Sequence, residues 1–235
     1  MSARWDLVVF DWDGTLMDST AAITRSIQAA CREVGVAEPA RAQAAYVIGL
    51  GLADALRHVA PDVSPADYDR IAQAYRRHYF AQARELVLFD GVASLLRELR
   101  EQGMRLAVAT GKSRTGLELA LEQSGLRALF DTTRTADETA SKPHPQMLLE
   151  IMEELVADSA ATLMIGDTTH DLEMARNAGT PAVGVSYGAH RAEELARLQP
   201  LCVTDSVAGL REFLLGRSSP APAVPARKHP QGAGS

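Results

Sequence analysis

Cysteine is nearly absent, with only Cys31 and Cys202 in 235 residues. They lie far apart in helix-like and strand-like surroundings. Neither a disulfide framework nor a thiolate metal cluster is therefore expected, and buried thiols in a reducing compartment are. No apolar stretch approaches the roughly 18 residues that would read as a membrane span. Charge of one sign never runs long, and the net charge is −6, so nothing favours a nucleic-acid or anionic-membrane partner. Nothing at the N-terminus reads as a signal peptide, because Asp6 interrupts the start and no long apolar region follows. The expectation left standing is a cytoplasmic globular protein, and 46% apolar with 23% charged residues suits one.

What is present is an alternation. "WDLVVFD" is a short apolar run ending at charge, as a strand buried in a parallel sheet would. From there to about Glu85 the pattern is helical. Ile23, Ile27, Ala30, Cys31 and Val34 recur at helical spacing, with Ser19 or Thr20 as cap and Gly35 as stop. "LADALRHVA" is a short helix stopped by Pro61. The next helix has Ser64 as cap, Pro65 in its first turn, and a stripe of Tyr68, Ile71, Ala72, Tyr75 and Tyr79 that reads as core. After "LFDG", helices of 8–13 residues alternate with the strands "MRLAVAT", "FDTTRTA", "ATLMIGD", "PAVGVS" and "LCVT". That alternation predicts an α/β fold with a doubly wound parallel sheet. The expected organisation is an α/β core over 1–16 and 90–216, interrupted by a helical insertion at 17–89. The Pro-rich segment 217–235 has no apolar periodicity and is expected to be disordered.

In such sheets ligands bind beyond the carboxyl ends of the strands. The first strand ends in "VVFDWDGTLMDS", which places Asp11 and Asp13 two residues apart, where like charges repel. The second delivers Thr110, Gly111 and Lys112. "SKPHP" offers Lys142, and "TLMIGDTTHD" delivers Asp167 and then Asp171. An excess of carboxylates on one rim calls for a hard cation such as Mg²⁺, and lysine with hydroxyl beside it suits a phosphoryl group. Residues i and i+2 of an extended chain point the same way, so Asp11 and Asp13 can share a site. Lys112 reads as solvated, His144 and His170 as surface or supporting side chains, and Trp12 as pointing into packing.

"DWDGT", a strand ending in Thr110, "KPHP" and "GDTTHDLEMARNAG" together resemble the four ordered motifs of the haloacid dehalogenase superfamily. Within it the chain is most similar to the phosphoglycolate-phosphatase-like branch, in which a helical cap follows the first motif. The similarity spans residues 4 to about 215. It implies a Rossmann-like core and a Mg²⁺-dependent phosphatase with Asp11 as nucleophile and Asp13 as general acid/base. It also implies metal binding by Asp11, Asp13 through its carbonyl, Asp167 and Asp171. Thr110, Gly111 and Lys142 would then bind the phosphoryl group. Attack and proton transfer are separate jobs, which accounts for two acids side by side.

The implied partner is a small phosphorylated metabolite, with phosphoglycolate first among candidates, and oligomeric state is unreadable. In "GLGLADALR" Arg57 is the candidate cation over the site. Two rivals stay open: a phosphomutase of the same fold acting on a sugar phosphate, and a non-catalytic phosphoacceptor or binding module. The second acid and the lysine of "KPHP" argue against the latter.

Overall fold

The computed structural model describes residues 5–216, and the segment 217–235 expected to be disordered lies outside the described residues. Six parallel strands form one sheet: β1 (Leu7–Phe10), β2 (Arg105–Thr110), β3 (Thr132–Thr135), β4 (Thr162–Gly166), β5 (Ala182–Val185) and β6 (Val203–Thr204). Their spatial order is β3-β2-β1-β4-β5-β6, a doubly wound arrangement. Strand β1 is central, pairing Val9 with Ala107 on one side and with Met164 on the other. The strand order reverses between β1 and β4, and this places the crevice beside the residues that follow those two strands.

Both faces of the sheet are covered, which is why its strands are apolar without alternation. Val8 and Phe10 face a cluster built with α5 (Val92–Glu101), α6 (Arg114–Ser124) and α10 (Val207–Leu215). Leu7 and Val9 face the opposite cluster, built with α7 (Gln146–Glu154), α8 (Thr169–Ala178) and α9 (Ala192–Ala196). Trp12 is fully buried in the first cluster, edge-on to Phe130.

Between β1 and α5 the chain forms α1 (Thr20–Val34), α2 (Arg41–Tyr46), α3 (Leu52–Val59) and α4 (Pro65–Gln82). These enclose a third apolar cluster centred on Ile27, Leu56 and Ile71. Ser64 caps α4 as expected, accepting from the Asp67 amide. Ser19 precedes α1 but its side chain makes no cap bond, and its hydroxyl is spent elsewhere. Among the described residues no helix is long and apolar enough to cross a membrane.

The helical layer touches the sheet layer through specific polar contacts. The Tyr46 carbonyl faces both His170 Nε2 (2.9 Å) and His190 Nε2 (3.0 Å), and the Tyr46 ring stacks on His190. The Gly51 amide donates to Ser141 Oγ. Tyr79 Oη meets Lys112 Nζ at 2.7 Å.

Candidate active site

Asp11 is the first residue beyond β1, and its amide still donates to Ile165 O as the ladder would. Its carboxylate is fully buried. Lys142 Nζ donates to Asp11 Oδ1 at 2.6 Å, while Asp11 Oδ2 is buried with no hydrogen-bond partner. Burial pushes the Asp11 carboxyl up to about 7, with Asp171 and Asp13 adding and Lys142 opposing. A buried polar atom without a partner is costly, so an unpartnered oxygen at a strand end marks a place kept for something else.

Asp13 lies past the strand, where the chain turns at Gly14. Gly14 has φ +84°, and a Cβ there would stand 2.1 Å from Asp167 Oδ2, so glycine is required twice over. Asp13 is held from two sides. Ser19 Oγ donates to Oδ1 at 2.6 Å, and Lys112 Nζ lies 3.0 Å from Oδ2. Both partners differ from expectation. Ser19 forgoes its helix to bond Asp13, and Lys112 is not solvated but 8% exposed, since Tyr79 covers it from α4.

Asp167 directly follows β4. Its Oδ1 accepts from Thr15 Oγ1 (3.0 Å) and its Oδ2 from the Ala189 amide (2.6 Å). Burial, with Asp11 and Asp171 nearby, raises its carboxyl well above the ordinary range. Asp171 sits in the first turn of α8 and has two roles. Its Oδ2 accepts from the Thr168 amide and hydroxyl in a capping box, and its Oδ1 accepts from Lys142 Nζ at 2.6 Å. Lys142 thus bridges Asp11 and Asp171. Burial works against its ammonium form, but the two carboxylates outweigh burial and raise its pKa.

Donor chemistry fits a hard dication. One carboxylate oxygen each from Asp11, Asp167 and Asp171 lie within 4.8 Å of one another. With Asp11, Asp13, Asp167 and Asp171 all ionised, four carboxylates face two ammonium groups, on Lys112 and Lys142, which leaves two negative charges for a divalent ion to balance. All-oxygen donors suit Mg²⁺.

Thr110 ends β2 fully buried, its Oγ1 accepting from the Lys112 amide. At Gly111 a Cβ would stand 2.5 Å from the carbonyls of Gly49 and Leu50, so that glycine lets the 49–50 loop approach the core. Asp11, Asp13, Thr110, Gly111 and Lys112 line one cavity of about 380 Å³, roofed by α1, α3, α4 and the 47–51 loop.

Arg57 does not line it. Its side chain is 66% exposed and pairs with Asp54 at 2.8 Å, so the expected cation over the site is corrected to a surface ion pair. The tyrosine stripe is corrected in part, because Tyr75 and Tyr79 form cavity wall as well as core. His144 is exposed, and His170 is buried against Tyr46 rather than among the acids.

Residues 8–185 match the family model described as haloacid dehalogenase-like hydrolase. The protein named "Probable phosphatase IndB" of Dickeya dadantii is 39% identical over 224 residues, covering 91% of this chain and 96% of that one. A phosphoglycolate phosphatase of Vibrio cholerae is 31% identical over 223 residues, covering 89% and 96%. A solved hydrolase structure from Pseudomonas syringae superposes with a TM-score of 0.83 at 22% identity, over 91% of this chain and 100% of that one.

Proposed function

The chain belongs to the haloacid dehalogenase-like hydrolases and is a phosphatase within that family, and from this premise we propose that it is a Mg²⁺-dependent enzyme that cleaves a small phosphomonoester through an aspartyl phosphate on Asp11. The observation that carries the reading is the unpartnered, buried Oδ2 of Asp11, a residue that lines the same cavity as Asp13.

In the first half-reaction Asp11 Oδ2 attacks phosphorus, the bond to the leaving alkoxide breaks, and a proton on Asp13 passes to that alkoxide. In the second, water attacks the phosphorus of the aspartyl phosphate, its proton goes to the Asp13 carboxylate, and the bond to Asp11 breaks. Lys142 fixes the Asp11 carboxylate by holding Oδ1, which leaves Oδ2 to react. Thr110 supplies a hydroxyl to the phosphoryl oxygens, and the Gly111 backbone lies beside it. Asp11, Asp167 and the Asp13 carbonyl would hold Mg²⁺, which would offset charge on the transferred group, with Asp171 braced through Lys142 at the edge. The helices over 17–89 act as a cap that excludes water from the cavity.

The name phosphoglycolate phosphatase belongs to the Vibrio relative, and it supports phosphoglycolate as a candidate substrate for this chain. The test is hydrolysis of p-nitrophenyl phosphate by the purified chain. Turnover that depends on Mg²⁺ and is lost in Asp11→Asn is expected. Equal turnover after exhaustive chelation, or in Asp11→Asn, would overturn the reading.

A further inference from the structure

The cavity beyond the phosphoryl site is too large and too apolar for glycolate. The whole cavity, phosphoryl site included, has a volume of about 380 Å³, in the range that encloses a drug-sized ligand and well beyond a phosphoryl group with a two-carbon acid. Its buried wall on the helical side consists of Ile23, Ile27, Val47, Ile48, Ala55 and Tyr79. The charged side chains that line it from that side or the rim, Asp54, Arg76 and Asp137, are all exposed, and acids outnumber the arginine among them.

A carboxylate two carbons from the ester oxygen would have to lie inside, near Asp13. The cations there are already engaged, Lys142 with Asp11 and Asp171, and Lys112 with Asp13 and Tyr79. Burying an anion without a counter-charge is strongly unfavourable, whereas an apolar body gains by leaving water. The geometry points to a monoester whose leaving group is an uncharged alcohol with an extended apolar body, seated against α1, α4 and the 47–51 loop. This rests on the phosphatase reading above and narrows its substrate class.

The experiment measures kcat/KM of the full chain with Mg²⁺ on ethyl, butyl and hexyl phosphate and on 2-phosphoglycolate. Leaving-group basicity is nearly constant along the alkyl series, so a trend reports binding. Each added methylene should raise kcat/KM about two- to fourfold, and 2-phosphoglycolate should fall below butyl phosphate. Phe80→Ala removes an aromatic ring from the cavity wall at a position 41% exposed, where folding tolerates the change. It should flatten the chain-length trend. A flat or falling trend in the parent, 2-phosphoglycolate exceeding hexyl phosphate, or a trend untouched by Phe80→Ala would each overturn the inference. Absence of turnover on every ester, p-nitrophenyl phosphate included, would instead defeat the phosphatase reading and take this inference with it.

Discussion

Lys112 Nζ stands 3.0 Å from Asp13 Oδ2, and the same ammonium donates to Tyr79 Oη, 2.7 Å away on the opposite layer. The ion pair that positions the second acid is thus completed by a helix of the 17–89 segment.

Removing that ammonium should therefore impair the proton-transfer steps more than attack. Lys112→Met keeps the length and apolar stem of the side chain while deleting the charge. We expect kcat on an alkyl phosphate to fall about 10- to 100-fold, in line with partial loss of acid–base catalysis. On acetyl phosphate, whose leaving group needs little protonation, the first half-reaction should be nearly spared. Pre-steady-state release of acetate separates the two. Equal losses in acetate release and alkyl ester turnover would assign Lys112 to phosphate binding instead.

Gly111→Ala tests how closely the layers must approach. The added methyl would stand 2.5 Å from the Gly49 and Leu50 carbonyls, and neither is the end of a flexible side chain. Overpacking of this kind costs about 1–3 kcal/mol. The loop can escape by lifting away, so the expected outcome is a raised KM with a small loss in melting temperature. A melting temperature and KM equal to those of the parent would show that the layers do not meet this closely in solution.

Most of the sheet was legible because its strands are apolar runs separated by helices of ordinary length, and the residues at their carboxyl ends are read directly. Asp11, Asp13, Thr110 and Asp167 come together for that reason, and Lys142, from the loop after β3, and Asp171, from the first turn of α8, join them through the ammonium that bridges Asp11 and Asp171. The strand order was not legible, since pairing of β1 with both β2 and β4 is a tertiary outcome. The misreadings share a cause. Lys112 reads as solvated because nothing near it in sequence covers it; Tyr79, 33 positions away, does. Ser19 sits where a helix cap belongs, and local rules cannot see that Asp13 competes for its hydroxyl. Arg57 directly follows the buried Ala55 and Leu56 but lies on the outer face of the same helix, where Asp54 one turn earlier claims it. A charged pair at i and i+3 was visible and would have been the better reading.

Metal removal has two separable readouts. Chelation with EDTA should abolish turnover, and Mg²⁺ should restore it. Ca²⁺ should not, because its larger radius and irregular coordination would displace the Asp11 carboxylate from in-line attack. Binding of a dication to the folded site alone should also raise the melting temperature with rising Mg²⁺ concentration, by mass action. A melting temperature indifferent to Mg²⁺ together with undiminished turnover in EDTA would remove the metal from the mechanism.

The two acids should fail in different ways. Asp11→Asn replaces the attacking oxygen by an amide, a poor nucleophile toward phosphorus, so turnover and phosphoenzyme formation should vanish together. Asp13→Asn keeps the attacking carboxylate and its Lys142 contact. With an alkyl phosphate both half-reactions should slow about 100-fold or more, for want of an acid and then of a base. With acetyl phosphate Asp11 can still be phosphorylated, while water attack lacks its base and becomes limiting. Phosphoenzyme should then accumulate, seen by mass spectrometry as a gain of about 80 Da on the peptide containing Asp11. Label on another residue, or parent-like turnover of alkyl phosphates by Asp13→Asn, would require the roles of Asp11 and Asp13 to be reassigned.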